Sequence, residues 1–172
     1  MRIGLRIHTW PESILRKKCK EVKIVDERIE QLFEQMVLLM RANKGIGLAA
    51  NQVGLDLRLV VIETQTGILK LVNPRIVKTE GRIDFIEGCL SFPGIELKIK
   101  RARRVRVSAL NEKGVALDYQ AEGMLAVVFQ HEVDHINGIP FIDRVSFWTR
   151  LKIRPLLKKI EKETRYGMCE QK

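Results

Sequence analysis

The segment EGMLAVVFQHEVDHING, residues 122–138, constrains the fold more than any other part of the chain. A helix with this sequence carries apolar side chains on most of its faces, so we expect it to be largely buried. Gly138 and Pro140 predict its end, because glycine caps helices and proline cannot continue them. A chain of 172 residues can bury a core around such a helix without disulfides, and we expect a single catalytic domain over residues 1–172.

Two further helices and several strands are expected around this central helix. Asp26 is a candidate N-cap for a helix with apolar residues at helical spacing, and residues 43–45 would end it. The tail from Trp148 to Tyr166 is also helical in pattern, interrupted or bent at Pro155. Strand-like segments cover residues 58–63, 68–73, 104–111 and 116–120, with NEKG as a hairpin turn. The fold class is therefore α+β: mixed, mostly antiparallel strands around a buried central helix, with an N-terminal and a C-terminal helix.

The chain is strongly basic, with a formal net charge of +10. Such a charge favours polyanionic partners, chiefly RNA or DNA. Basic residues concentrate in two places, a cluster within residues 98–106 and a C-terminal tail at about 148–172. The tail would be either an anchor for a polyanion or a solvated helix packed on the domain.

The central helix carries a pattern that predicts a metal site. Residues four apart share a helix face, so His131 and His135 can both bind one metal ion. Glu132 lies beside them, where it can serve the chemistry rather than the metal. A buried carboxylate without a role is costly, which makes a purely structural explanation of this pattern weak.

Two histidines need a third ligand, and several residues are candidates. One peptidase pattern places a histidine at position 141, but Phe141 cannot bind a metal. The downstream glutamates lie in the basic tail, which we expect to be solvated: Glu161, Glu163 and Glu170. Cys89, in the segment EGCLSFPG, is a better candidate, since a thiolate binds zinc or ferrous iron well. An inert buried cysteine is the alternative.

The segment GIGLAANQVG, residues 45–54, has little side-chain cover. Such a segment suits a backbone that pairs with a peptide or lines a narrow cleft. Its glycines could also form a phosphate loop, but the lysine and hydroxyl residue of that motif do not follow. Gln52 offers an amide N–H₂ donor at the end of the segment.

Three motifs together resemble the peptide deformylases. GIGLAANQ, EGCLS and QHEVDH occur in the order and at the approximate separations found in that family, and the resemblance runs from about Leu15 to Arg144. The departures are small: Ile136 stands where leucine is common, and Phe129 is bulky near the expected substrate pocket. The resemblance implies removal of the formyl group from the N-terminal formyl-methionine of nascent polypeptides.

The resemblance also implies roles for individual residues. Cys89, His131 and His135 would hold one divalent metal ion, natively Fe²⁺, with Zn²⁺, Ni²⁺ or Co²⁺ able to replace it. Glu132 would be the general acid and base, and Gln52 and the backbone N–H of Leu90 would bind the formyl oxygen. Since the family acts on chains leaving the ribosome, the basic tail would be attracted to ribosomal RNA.

Substrate specificity is expected to have two sources. The substrate backbone would lie along Ile46 and Gly47 as an added strand, and Gly88 would let the backbone come close. The methionine side chain would enter an apolar pocket, for which the candidates are Ile46, Leu125, Val128 and Phe129. Plain core packing is the alternative for each of these four residues.

Location and assembly are expected to be simple. Three widely spaced cysteines do not suggest a disulfide framework, and the N-terminus lacks a signal-peptide core. No segment approaches the roughly 18 continuous apolar residues of a membrane span. We expect a cytoplasmic monomer that does not bind membranes. Two other functions remain open: a peptidase that cuts internal bonds, and a basic RNA-binding protein with a structural metal.

Overall fold

A computed structural model describes residues 4–167 of the chain. Cys169, Glu170 and the last part of the predicted basic tail lie outside these residues. The helices are α1 (Glu27–Ala42), α2 (Met124–Ile136) and α3 (Phe147–Arg165). The strands are β1 (Gly47–Ala49), β2 (Leu59–Thr64), β3 (Gly67–Glu80), β4 (Ile83–Gly88), β5 (Glu96–Arg101), β6 (Arg104–Leu110) and β7 (Ala116–Glu122). Short 3-10 helices cover Ser13–Arg16, Ala50–Val53 and Phe141–Arg144.

The strands form two antiparallel sheets. Five strands pair in the order β1-β2-β3-β6-β7, and β4 pairs with β5 as a separate hairpin. The four predicted strands are confirmed, although β3 runs seven residues further than expected, to Glu80. β1, β4 and β5 were not predicted. β1 is too short to show alternation, whereas Leu97 and Ile99 of β5 alternate with lysines in a readable strand pattern.

The helices α1 and α2 cover opposite faces of the five-stranded sheet. Alternate residues of a strand point to opposite faces, so Leu59 and Val61 of β2 pack in one cluster with α1. Val60 and Ile62 pack in a second cluster with α2. The side chain of Asp26 accepts a hydrogen bond from the Ile29 N–H at 3.1 Å, which confirms the predicted N-cap of α1.

The α2 helix lies in the interior as predicted. Every residue from Ala126 to Ile136 is buried, so the polar residues of the motif are enclosed along with the apolar ones. The helix ends at Ile136, and Gly138 follows with a φ of 74°. The position of α2 therefore brings two histidines and a carboxyl group into the interior, where electrostatic interactions are stronger than at the surface.

The C-terminal helix packs against the β4–β5 hairpin through a third apolar cluster. Ile153, Leu157 and Ile160 of α3 share this cluster with Leu97 and Ile99 of β5. Pro155 does not interrupt the helix, which is continuous from Phe147 to Arg165. Packing along one face explains this, because buried contacts on both sides of the proline offset its missing hydrogen bond. No helix within residues 4–167 is long and apolar enough to cross a membrane.

Candidate active site and metal centre

Three side chains with metal-binding atoms converge where α2 meets the turn after β4. His131 and His135 lie one turn apart on α2, and Cys89 directly follows β4. Nε2 of His135 is 3.1 Å from Nε2 of His131 and 3.2 Å from Sγ of Cys89. Cys89, His131 and His135 form a possible metal site within the described residues, since their ligand atoms all lie within 4.8 Å of one another.

This donor set fits one divalent metal ion. In tetrahedral zinc sites, metal–nitrogen distances of roughly 2.0–2.1 Å and metal–sulfur distances of roughly 2.3 Å place neighbouring ligand atoms roughly 3.3–3.6 Å apart. The two separations around His135, 3.1 and 3.2 Å, are close to that spacing. Nitrogen and sulfur lone pairs that face one another repel, and a cation among them is the natural counter-charge. Three protein ligands leave one position open, as catalytic sites require.

A buried chain of ion pairs orients His131. Nδ1 of His131 lies 2.8 Å from a carboxylate oxygen of Glu87. An ionised carboxylate only accepts hydrogen bonds, so Nδ1 carries a proton and Nε2 is the nitrogen that can bind a metal. Burial would lower the pKa of His131, but the hydrogen bonds with Cys89 and Glu87 outweigh it and raise the pKa well above its ordinary value, so a metal ion at Nε2 displaces a proton. Burial alone would raise the pKa of Glu87, but the hydrogen bonds with His131 and from Arg101 outweigh it and hold the pKa below its ordinary value. The orientation of the His131 ring therefore depends on an ionised Glu87.

Arg101 connects this carboxylate to α2. Its guanidinium donates to Glu87 at 2.7 and 3.0 Å and to Asp134 at 2.5 Å, and Arg144 also donates to Asp134. The expectation that Arg101 belongs to a basic surface cluster is wrong, because its exposed fraction is 5%. Glu87, Arg101 and Asp134 were not predicted as site residues from the sequence. Two of them carried a signal: Glu87 lies within EGCLS, and Asp134 is a charged residue on a buried helix.

His135 is held through its backbone. The side-chain amide of Asn51 donates to the carbonyl oxygen of His135 at 2.6 Å, which ties the segment GIGLAANQVG to α2. Nδ1 of His135 is buried and has no hydrogen-bond partner in the described chain. Burial lowers the pKa of His135 well below its ordinary value, so the imidazole is neutral. A neutral imidazole is the form that binds metals.

Glu132 lies beside the donor set without a partner of its own. It is 4% exposed, and its Oε2 is buried with no hydrogen bond to any described residue. Burial raises the pKa of Glu132 to about 7. Gly47 of β1 packs directly against this carboxyl group, and a Cβ at position 47 would collide with it. A carboxyl group with a pKa near neutrality is suited to exchange protons.

Gln52 presents its amide nitrogen to the site. The backbone N–H of Ala49 donates to Oε1 of Gln52 at 2.9 Å, which fixes the orientation of the amide. Nε2 then lies 3.2 Å from Oγ of Ser91 and 3.5 Å from Sγ of Cys89. Ala49 and Ser91 were not identified from the sequence. The amide therefore directs its N–H donors toward Cys89 and Ser91.

A cavity of about 800 Å³ opens beside these groups. Gln52, Leu90 and Glu132 line it together with Cys89 and His131. Its volume lies in the range of about 300–1,000 Å³ typical of small-molecule sites. Among the expected substrate contacts, the structure places Ile46, Gly47, Gly88 and Val128 on the cavity wall.

Leu125 and Phe129 do not lie on that wall, which corrects their proposed pocket role. Phe129 is fully buried in the second apolar cluster, where its ring centroid is 5.4 Å from that of Tyr119, and Leu125 packs against the same cluster. At about 100° per residue, Phe129 projects nearly opposite to His131 around the helix. Val127, one turn before His131, takes the position on the wall instead.

Fold and site together define a class of protein: a metallohydrolase whose His-Glu-x-x-His helix is completed by a cysteine from a neighbouring turn. Comparison with known proteins is more specific. The profile of the family described as Polypeptide deformylase matches residues 5–150, and the chain belongs to this family.

Individual relatives match over nearly their whole length. A peptide deformylase of Aquifex aeolicus is 42% identical over 159 residues, covering 89% of this chain and 92% of the relative. One from Neisseria meningitidis serogroup C is 43% identical over 163 residues, covering 93% and 98%. The crystal structure of a peptide deformylase from Legionella pneumophila superposes with a TM-score of 0.87 at 38% identity, covering 96% and 98%.

Family membership confirms the fold class and the activity that the three motifs implied. Peptide deformylases are hydrolases that use a single metal ion, and the protein removes the formyl group from the N-terminal methionine of nascent polypeptides. The roles of individual residues, the identity of the ion and further partners are separate questions.

Proposed function

We propose that Cys89, His131 and His135 hold the metal ion and that Glu132 is the general acid and base of deformylation. The observation that carries this proposal is the convergence of three donor atoms within 4.8 Å beside a buried, unpaired carboxyl group in one cavity. Three of these four residues come from α2, and Cys89 comes from the turn after β4.

Glu132 moves the protons of the reaction. It accepts a proton from the water that attacks the formyl carbon, and it returns a proton to the leaving amine of methionine. Burial raises the pKa of Glu132 to about 7, and a carboxyl group with a raised pKa holds a proton more readily than an exposed one, which suits it to accept and return a proton. A divalent ion bound by the three ligands supplies Lewis acidity, which activates water and polarises a carbonyl group.

Two N–H groups stabilise the charge that develops on the formyl oxygen. The Gln52 amide is oriented by Ala49, and the backbone N–H of Leu90 is the second donor of this proposal. Preorganised donors of this kind each lower the barrier by roughly 3–4 kcal/mol. Ser91 also contacts the Gln52 amide nitrogen and so helps to position it.

The substrate backbone extends the five-stranded sheet. β1 is the edge strand and pairs only with β2 in the sheet order, so its other side can accept an extended peptide. Main-chain pairing along Ile46 and Gly47 tolerates many sequences, as an enzyme of nascent chains needs. Gly88, Val127 and Val128 lie on the same cavity wall and would contact formylmethionine.

We propose Fe²⁺ as the native ion, with Zn²⁺, Ni²⁺ or Co²⁺ able to occupy the same ligands. A set of one thiolate and two imidazoles suits each of these borderline ions. Metal analysis after anaerobic purification tests this point. Iron below a tenth of the protein concentration, with zinc near equivalence, would contradict it.

The chain is proposed to act as a single catalytic domain over residues 1–172, as a cytoplasmic monomer. The basic side chains of α3 are exposed, which leaves them available to ribosomal RNA: Arg150, Lys152, Arg154, Lys158, Lys159, Lys162 and Arg165. Ion pairs partly neutralise both basic regions: Arg150 and Arg165 of α3 contact Asp143 and Glu161. In the cluster at residues 98–106, Arg104 and Arg106 contact Glu122 and Asp118. Attraction to RNA should weaken steeply with salt.

Formate release from a formyl-Met peptide tests the site assignment. Glu132→Ala should keep the metal and lower turnover by roughly 10²–10⁴. Cys89→Ser should lose metal, whereas Cys19→Ala, which removes another thiol, should keep it. Activity on unformylated peptides would favour the internal peptidase, and RNA binding without formate release would favour the RNA-binding protein. Near-normal turnover of Glu132→Ala would refute the acid–base role.

A further inference from the structure

The C-terminal helix reaches the substrate cavity. Glu163 of α3 lies on the cavity wall, together with Thr9 of the N-terminal segment. The next residue, Thr164, fixes the helix at this point: its Oγ1 is 2.7 Å from Oγ1 of Thr9 and donates to the Trp10 carbonyl at 2.8 Å. The helix end is therefore docked beside the cavity, so the tail is not simply a solvated segment.

Few charges on this wall are free to meet a substrate. Glu87 is neutralised by Arg101, and Glu132 belongs to the reacting groups. Within the described residues, this leaves Lys44 and Glu163 as the other charged side chains of the wall. Glu163 is 34% exposed and has a lysine, Lys159, at 3.9 Å, the outer limit of an ion pair. The Glu163 carboxylate is therefore only weakly paired with Lys159 and can attract a cationic group of a bound substrate.

We infer that Glu163 selects basic side chains among the residues that follow formylmethionine in the substrate. The cavity of about 800 Å³ has room for residues beyond the one that is deformylated. Glu163 and Thr9 belong to the cavity wall but not to the reacting groups, so in this inference Glu163 meets the downstream part of the peptide rather than the formyl group. This inference rests on the proposed placement of the substrate in the cavity.

Wild-type enzyme alone gives the first test. The substrates are formyl-Met-Ala-Lys, formyl-Met-Ala-Ala and formyl-Met-Ala-Glu amides, and the readout is kcat/KM for formate release. Partly exposed ion pairs of this kind predict a lysine-to-glutamate ratio of roughly two- to five-fold. Raising the salt concentration to about 1 M should bring the ratio near one, because screening then acts over about 3 Å. No preference at low salt, or the preference for glutamate that Lys44 would produce, overturns the inference.

Two variants then assign the preference to one carboxylate. Glu163→Gln should remove the lysine preference and Glu163→Lys should reverse it, each measured as the ratio of kcat/KM for the lysine and glutamate substrates. Glu161→Gln is the matched control, since Glu161 pairs with Arg165 on the same helix and does not line the cavity. A preference that persists in both Glu163 variants overturns the inference. If the wild-type enzyme released no formate from any of the three substrates, that result would instead refute the proposed function.

Discussion

Replacing Gly47 by alanine should disable Glu132 without touching a metal ligand. A Cβ at position 47 would lie 2.8 Å from Cδ and 3.0 Å from Cγ of Glu132. The atom nearest to this Cβ is Oε1 of Glu132, which would lie closer still. Ordinary contacts of this kind begin at 3.4 Å, so the carboxyl carbon must retreat by at least 0.6 Å, the difference between 3.4 and 2.8 Å. Glu132 lines the cavity, so its carboxyl group can move into that space, but the movement changes the direction in which it faces the other cavity residues.

The displacement sets the size of the effect. Misplacing a reacting group by about 1 Å can cost on the order of 10²-fold in rate. For Gly47→Ala we therefore expect kcat/KM for formate release to fall by about 10- to 100-fold, with metal content unchanged. Gly4→Ala is the matched control, because a Cβ there meets nothing within 4 Å.

A double-mutant cycle shows whether the loss passes through Glu132. In Glu132→Ala the carboxyl group is gone and the new Cβ has space, so adding Gly47→Ala should cost little more. Independent, multiplying losses in the double variant would mean that Gly47 acts only on substrate binding. Wild-type kcat/KM in Gly47→Ala itself would refute the reasoning from the close contact.

Three further predictions use other parts of the structure. Glu87→Gln should weaken metal binding by roughly 10- to 100-fold in a chelator competition, since the imidazole loses its ionised partner; unchanged affinity would contradict this. Phe129→Ala should cost roughly 3–5 kcal/mol of unfolding free energy with an unaltered KM for formyl-Met peptides; a raised KM with little destabilisation would return Phe129 to the pocket. For Glu12, burial would raise the pKa, but hydrogen bonds from Arg6, the Thr9 backbone and His8 outweigh it and lower the pKa from 4.5 to about 2. Because the pKa is lower in the folded state, ionised Glu12 stabilises the fold above pH 4.5, and this stabilisation is lost as the pH falls toward 2. The difference in unfolding free energy between wild type and Glu12→Gln, measured by denaturant titration, should therefore shrink over that interval; a constant difference would contradict the prediction.

The sequence predicted the groups that bear chemistry better than the groups that hold them. His131, Glu132 and His135 follow from helical spacing on a buried helix, and the structure brings them together. Cys89 was one of several candidates until the three motifs were read together, because spacing cannot show which turn meets α2. Arg101 shows the limit: its burial depends on Glu87 and Asp134, which come from other parts of the chain.

Two of the four predicted pocket residues, Leu125 and Phe129, lie away from the cavity for a different reason. Leu125, Val128 and Phe129 are all apolar residues of one helix, and the sequence does not say which neighbours cover each face. The sheet covers the face of Phe129, and the cavity lies on the face of Val127 and Val128. An amphipathic pattern would have separated the two faces, but a helix that is apolar nearly all round gives no such signal.

The same burial that hides the faces of α2 explains why its site needs so many supporting charges. A carboxylate or guanidinium taken out of water is stable only when it is paired and hydrogen-bonded. Arg101 pairs with both Glu87 and Asp134, which satisfies that condition for all three. Glu87 in turn accepts a hydrogen bond from Nδ1 of His131 and so orients its ring. Glu132 alone is left without such a partner, and its pKa is raised accordingly. The site thus contains one carboxyl group poised to exchange protons among charges that are otherwise fixed, so a partner placed beside Glu132 should lower its pKa and its activity together.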